Sequence, residues 1–207
     1  MNIVKKIVIV ATVLFATIVA NAEEGLKIGG TVQYIAIQPG VGGFGGDDPD
    51  MSFIGAGVGV AAQVPLGSIS VNPEVSFLYR RLFSQTTEVG SMKTESYESE
   101  FAISVPVTVR YSISNAYVGT GIQLDFPIAA KINSEISGSP RGIADGDTST
   151  DFEKRKSHDL GIAIVAGYNV SEAVAINAKA IIGFTRIAAG DEMTFNQYSI
   201  GVTYFFF

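Results

Sequence analysis

Residues 101–126 read FAISVPVTVRYSISNAYVGTGIQLDF, and their alternation decides the fold. Phe101, Ile103, Val105, Val107 and Val109 hold every second position, with Ser104, Thr108 and Arg110 between them. After SISN at 112–115 the alternation resumes, Val118, Ile122, Leu124 and Phe126 against Gly119, Gly121, Gln123 and Asp125. A period of two sends successive side chains to opposite faces of an extended chain. Two such runs around a short Ser/Asn turn predict an antiparallel hairpin with one apolar and one polar face.

The pattern continues outward in both directions. Upstream, LKIGGTVQYIAI sets Leu26, Ile28, Val32 and Tyr34 against Lys27, Thr31 and Gln33. FIGAGVGVAAQV sets Ile54, Ala56, Val58, Val60, Ala62 and Val64 against glycines and Gln63, and ISVNPEVSFLYR sets Ile69, Val71, Val75, Phe77 and Tyr79 against Glu74 and Arg80. Downstream, DLGIAIVAGY, VAINAKAIIGF and NQYSIGVTYF repeat it, with Asp159 and Lys179 on the polar side. The sum is eight strands and no helix, an all-β chain with an even strand number, as bacterial membrane barrels have.

The connections separate a membrane barrel from a sandwich. Those at 65–68, 112–115 and 169–172 are tight, whereas those at 38–51, 82–98 and 129–157 are long, with a shorter one at 188–194. Short turns at one end and long loops at the other suit an eight-stranded antiparallel up-and-down transmembrane barrel, with periplasmic turns and extracellular loops. A soluble sandwich joins its strands by Greek-key crossovers without that regularity. The face chemistry agrees. The apolar face carries aromatics such as Tyr34, Tyr79, Phe101 and Tyr168 near its ends, as interfacial girdles require. The other face carries Lys27, Glu74, Arg80, Arg110, Asp125, Asp159 and Lys179. Inside a small barrel these charges are expected to pair across the lumen, since buried unpaired charge is costly. Glu74 and Arg110, on neighbouring strands, are the favoured pair, and the polar-face glycines leave room for the long side chains.

The amino terminus has Lys5 and Lys6, an apolar run at 7–20 and Ala20-Asn21-Ala22. That layout predicts a cleaved signal peptide at 1–22, with the barrel domain at 23–207. The run is shorter than the ~20 residues of a membrane-spanning helix. The chain has 14 basic and 20 acidic residues, a net charge of −6, no Cys and one His. The acidic balance argues against nucleic acid as a partner. Without Cys there is no disulfide, lipid-anchor thiol or thiolate metal site, and one His excludes a multi-histidine centre.

Little in the chain suggests catalysis, a cofactor or a metal. Ser157-His158-Asp159 has triad letters, but adjacent strand residues point to opposite faces and cannot relay a proton. Asp47, Asp48 and Asp50 lack the order of a calcium loop and read as solvated. GVGGFGG lacks a Walker Lys.

The strands SVNPEVSFLYR, FAISVPVTVRYSISNAYVGTGIQLDF, DLGIAIVAGY and INAKAIIGFTRI resemble the small outer-membrane β-barrel domain family often labelled porin-like or PorT-type, eight-stranded barrels of OmpA/OmpX-like build. Pro73-Glu74, Val105 to Val107 and Arg110-Tyr111 are the more distinctive points of the match. The resemblance implies outer-membrane lipid as surroundings and a Gram-negative cell envelope as location. The chain's end, YSIGVTYFFF, also resembles the terminal signal read by barrel-assembly machinery, with Tyr198, Ile200, Val202, Tyr204 and Phe206 on one face and Phe207 as an overhang. An eight-stranded interior is wide enough only for side chains. The expected role is therefore structural, adhesive or docking, without catalysis, and loops 38–51, 82–98 and 129–157 are where an extracellular ligand would bind. A narrow channel for ions or small solutes and a lipid A-modifying enzyme are the alternatives.

Overall fold

The computed structural model describes residues 25–39, 53–89, 92–137, 146–151, 159–184 and 195–206. The alternating runs form nine strands there: β1 Lys27–Pro39, β2 Phe53–Leu66, β3 Ile69–Val89, β4 Met92–Ile113, β5 Ala116–Ser137, β6 Gly146–Asp151, β7 Asp159–Asn169, β8 Val174–Gly183 and β9 Phe195–Phe205. Along the order β4-β3-β2-β1-β9-β8-β7-β5 each strand pairs antiparallel with the next, and the β4–β5 pairing closes that run of eight into a ring. Eight strands thus close into a barrel, which removes the edges a bilayer would not tolerate. The ninth, β6, lies beyond the wall, paired to β5 from Lys131↔Asp151 to Ile136↔Gly146.

Two of the expected long loops are largely strand. Residues 82–98 continue the β3–β4 ladder from Phe83↔Glu98 to Val89↔Met92, and much of 129–157 is the end of β5 with β6. Above a bilayer both faces of a hairpin meet water, so the apolar alternation stops while the ladder still satisfies the backbone. The Thr-rich SQTTEV segment suits that extended course. Register shifts at Arg81/Phe83 and Phe101/Ala102 mark where the barrel wall becomes the projecting sheet. Residues 40–52, 138–145, 152–158 and 185–194 lie outside the described residues.

The tight turns fall where expected. Leu66↔Ile69 closes around Gly67 at φ 73°, and Ile113↔Ala116 closes around Ser114 at φ 56°. Both two-residue turns need a left-handed backbone at their first position, which glycine adopts freely and serine does not. Ser114→Gly should therefore stabilise the barrel by about 1 kcal/mol, less the extra chain entropy of glycine. The check is the urea unfolding midpoint at unchanged slope; an unmoved or lowered midpoint would show that Ser114 carries no strain.

The faces are inverted relative to a water-soluble protein. Val58, Phe77 and Ile200 are 58%, 61% and 64% exposed, while Ser76, Thr108 and Gln123 are buried. Exposed apolar side chains around the whole wall require lipid to cover them. Ala62 and Ile103 of the outer face are buried as well, and the register sets Ile103 between Phe77 and Phe126. The lumen also holds an apolar patch of Ile35, Ile37, Leu78 and Ala102, which the alternation did not reveal.

Candidate functional site in the barrel lumen

Glycines set how closely the inner side chains pack against the barrel wall. A Cβ on Gly167 would run into the Tyr117 ring, and one on Gly57 would meet Leu78 at 2.6 Å and Gln33 at 2.9 Å. One on Gly119 would press on the backbone and stem of Arg110. These glycines let large inner side chains of adjacent strands lie flat against the wall, as the sequence suggested.

The first ionic cluster centres on Arg80 of β3, which is buried. Its Nε donates to Glu100 Oε1 at 3.1 Å, and Nη2 donates to the same oxygen. Nη1 donates to Asp125 Oδ2 at 2.7 Å and Gln197 Oε1 at 3.0 Å, and Nη2 lies 3.7 Å from Asp159 Oδ2. Gln123 Nε2 donates to Asp125 Oδ1 at 3.0 Å. One guanidinium thus ties β3 to β4, β5, β7 and β9, a use of its fork that a lysine cannot reproduce.

The second cluster crosses the barrel. Lys179 Nζ donates to Glu74 Oε2 at 2.9 Å, and Ser76 Oγ donates to Glu74 Oε1 at 2.7 Å. Glu74 is on β3 and Lys179 on β8, on opposite sides of the eight-strand ring, so the pair spans the lumen. Along β3 it lies six residues from Arg80, about 20 Å of strand, with Leu78 between.

The favoured pair is therefore corrected: Glu74 bonds Lys179, not Arg110. Arg110 instead lies over the Tyr117 ring at 4.8 Å, and its Nε donates to Thr108 Oγ1 at 3.3 Å. Neighbouring strands share a wall, but side chains of this length reach the far wall, so sequence adjacency mispredicts partners. Lys27 stands apart from both clusters at the end with the short turns, where its Nζ donates to the Glu172 carbonyl at 3.0 Å and sits 6.0 Å from the Phe205 ring. Glu100 lies one residue before the alternation that opens at Phe101 and so falls outside the inward charges that pattern predicts. It continues the inward series of Ala102 and Ser104, so one more residue of alternation would have found it.

On β9, Tyr198, Ile200, Val202, Tyr204 and Phe206 face outward, while Ser199, Thr203 and Phe205 are buried inside. The ladder to β1 ends at Gly29↔Phe205, and the Phe206 N–H donates to the Ile28 carbonyl at 2.9 Å. His158, Asp47, Asp48 and Asp50 fall outside the described residues. Among the described residues no group of His, Asp or Glu is arranged to hold a metal ion, and no helix is long and apolar enough to cross a membrane, which says nothing of crossing by strands.

The profile of the outer membrane protein beta-barrel domain family matches residues 7–206. Comparison with curated proteins gives no match. Among solved structures, Neisserial surface protein A is 12% identical with a TM-score of 0.47, over 88% of this chain and 98% of that one. Ail, the attachment invasion locus protein of Yersinia pestis, is 15% identical with a TM-score of 0.45, over 87% and 98%. A major outer membrane protein from Thermus thermophilus is 12% identical with a TM-score of 0.45, over 88% and 100%.

Proposed function

We propose a role from the premise that this chain belongs to the outer membrane β-barrel domain family, whose profile covers residues 7–206. It acts in the outer membrane of a Gram-negative cell, exported on residues 1–22 as a cleaved signal peptide. There it is a closed structural barrel that conducts nothing and catalyses nothing. Its projecting strands β3–β6 serve adhesion or docking of envelope or secretion machinery. The observation that carries this reading is the pair of ionic clusters crossing the lumen, Glu74 with Lys179 and Arg80 with its carboxylates. Single-channel recording in planar bilayers tests it. The wild type should show no stable unitary conductance, and steady unitary steps would move the reading to a narrow channel. Lipid A mass profiles should be the same with and without the protein; an altered acyl pattern would make it an enzyme.

Assembly is read from the last strand. The outward series ending at Phe206 supports a signal for barrel-assembly machinery in that register. Deleting Phe207 should leave insertion intact, whereas deleting Phe206 and Phe207 together should impair it, because Phe205 of the inner face becomes the end. Outer-membrane yield of each variant is the measurement, and the reverse order of effects would overturn the register.

A further inference from the structure

The outer face changes character at one level. Among the described residues its strand positions between the short turns and Tyr79 carry no charge. Tyr79 packs on Phe101 with ring centroids 5.0 Å apart, and the register continues that row to Ala129. The next row outward pairs Arg81 with Ser99 and Ser99 with Lys131. Both cations are exposed. The Arg81 guanidinium lies on the Tyr97 ring at 4.0 Å, which lays it along the wall rather than out into solvent. Between the cations, Ser99 accepts a hydrogen bond from Asn133 Nδ2 at 3.0 Å.

Height locates this row. From Ile69 at the short turn to Tyr79 the strand rises about 25 Å once tilt is allowed for, the thickness of the apolar band of an outer-membrane barrel. Tyr79 and Phe101 then mark the upper interface, and Arg81 and Lys131 stand one row above it, at the headgroups of the outer leaflet. Two strand spacings separate them, about 10 Å, a span that two long cationic side chains can close around one phosphate. The register sets Ser99 between the two cations, so the phosphate belongs over Ser99.

We propose that Arg81 and Lys131, with Tyr97 positioning the guanidinium, form a binding site for the phosphate of a phosphorylated outer-leaflet lipid. The proposal rests on the outer-membrane reading above, but not on the closed lumen. The test uses the full mature chain in phosphatidylcholine nanodiscs doped with bisphosphorylated lipid A, its dephosphorylated form, or neither plus inorganic phosphate. Lipid retained on the barrel is counted by native mass spectrometry. The wild type should retain lipid A in preference to the dephosphorylated form. Arg81→Gln or Lys131→Gln should weaken retention about fivefold each, and the double variant about thirtyfold. Lys27→Gln, at the opposite rim, should leave it unchanged. Heat-modifiable migration on gels checks that each variant still closes. Equal retention of the dephosphorylated lipid, or a folded double variant that retains lipid A like the wild type, would overturn the site. Inorganic phosphate bound as tightly through the same two residues would assign it to a soluble anion and overturn the lipid. Recovery of the protein from the periplasm as a soluble species would instead defeat the outer-membrane reading, whatever the nanodiscs report.

Discussion

Arg80→Ala should destabilise the barrel by roughly 3–5 kcal/mol, the cost of leaving buried charges without their partner. The guanidinium is shared by Glu100 and Asp125, with Asp159 at 3.7 Å, so its loss leaves carboxylates facing one another in a closed space. Arg80→Lys should recover only part of the loss. It restores the charge but not the fork that reaches Glu100, Asp125 and Gln197 at once. Denaturant unfolding of the barrel in lipid vesicles measures the change. A loss below about 1 kcal/mol would mean that the carboxylates do not depend on Arg80, since even one hydrogen bond to a charged group is worth more than that. The same variant tests the lumen, because Arg80 on β3 reaches partners on four other strands. If the ionic clusters are what blocks passage, it should raise open-channel events above those of the wild type.

The second large effect belongs to the pair that spans the barrel. Glu74→Gln and Lys179→Met should each cost roughly 3–5 kcal/mol, since each strands a buried partner. The double variant should lose less than the sum, with a coupling of about 1–3 kcal/mol. Strict additivity would mean that the 2.9 Å contact contributes nothing. Combining Arg80→Ala with Glu74→Gln gives the contrast. Their separation of about 20 Å along β3 predicts additive losses, within about 0.5 kcal/mol. Coupling between them would show that the two clusters act as one network through the layer at Leu78.

Strand existence and facing were legible in the sequence because they depend on local rules. Alternation across Phe101 to Val109 or Tyr198 to Phe206 assigns each residue to lipid or lumen by parity alone, and the tight turns at 65–68 and 112–115 mark one end of the barrel. The inward charges followed from the same parity, with Glu100 lost only by starting a strand one residue late. Partner choice was not local. Whether Glu74 meets Arg110 on the next strand or Lys179 on the far wall depends on closure, shear and side-chain reach, and no sequence spacing encodes these. The projecting sheet was hidden for a related reason. Where β3, β4 and β5 leave the bilayer no apolar face is needed, so the period of two fades from 82–98 and 129–157 while the ladder continues. The apolar patch of Ile35, Leu78 and Ala102 was likewise decided in three dimensions, for a lumen this narrow accepts any side chain that fills it, polar or not.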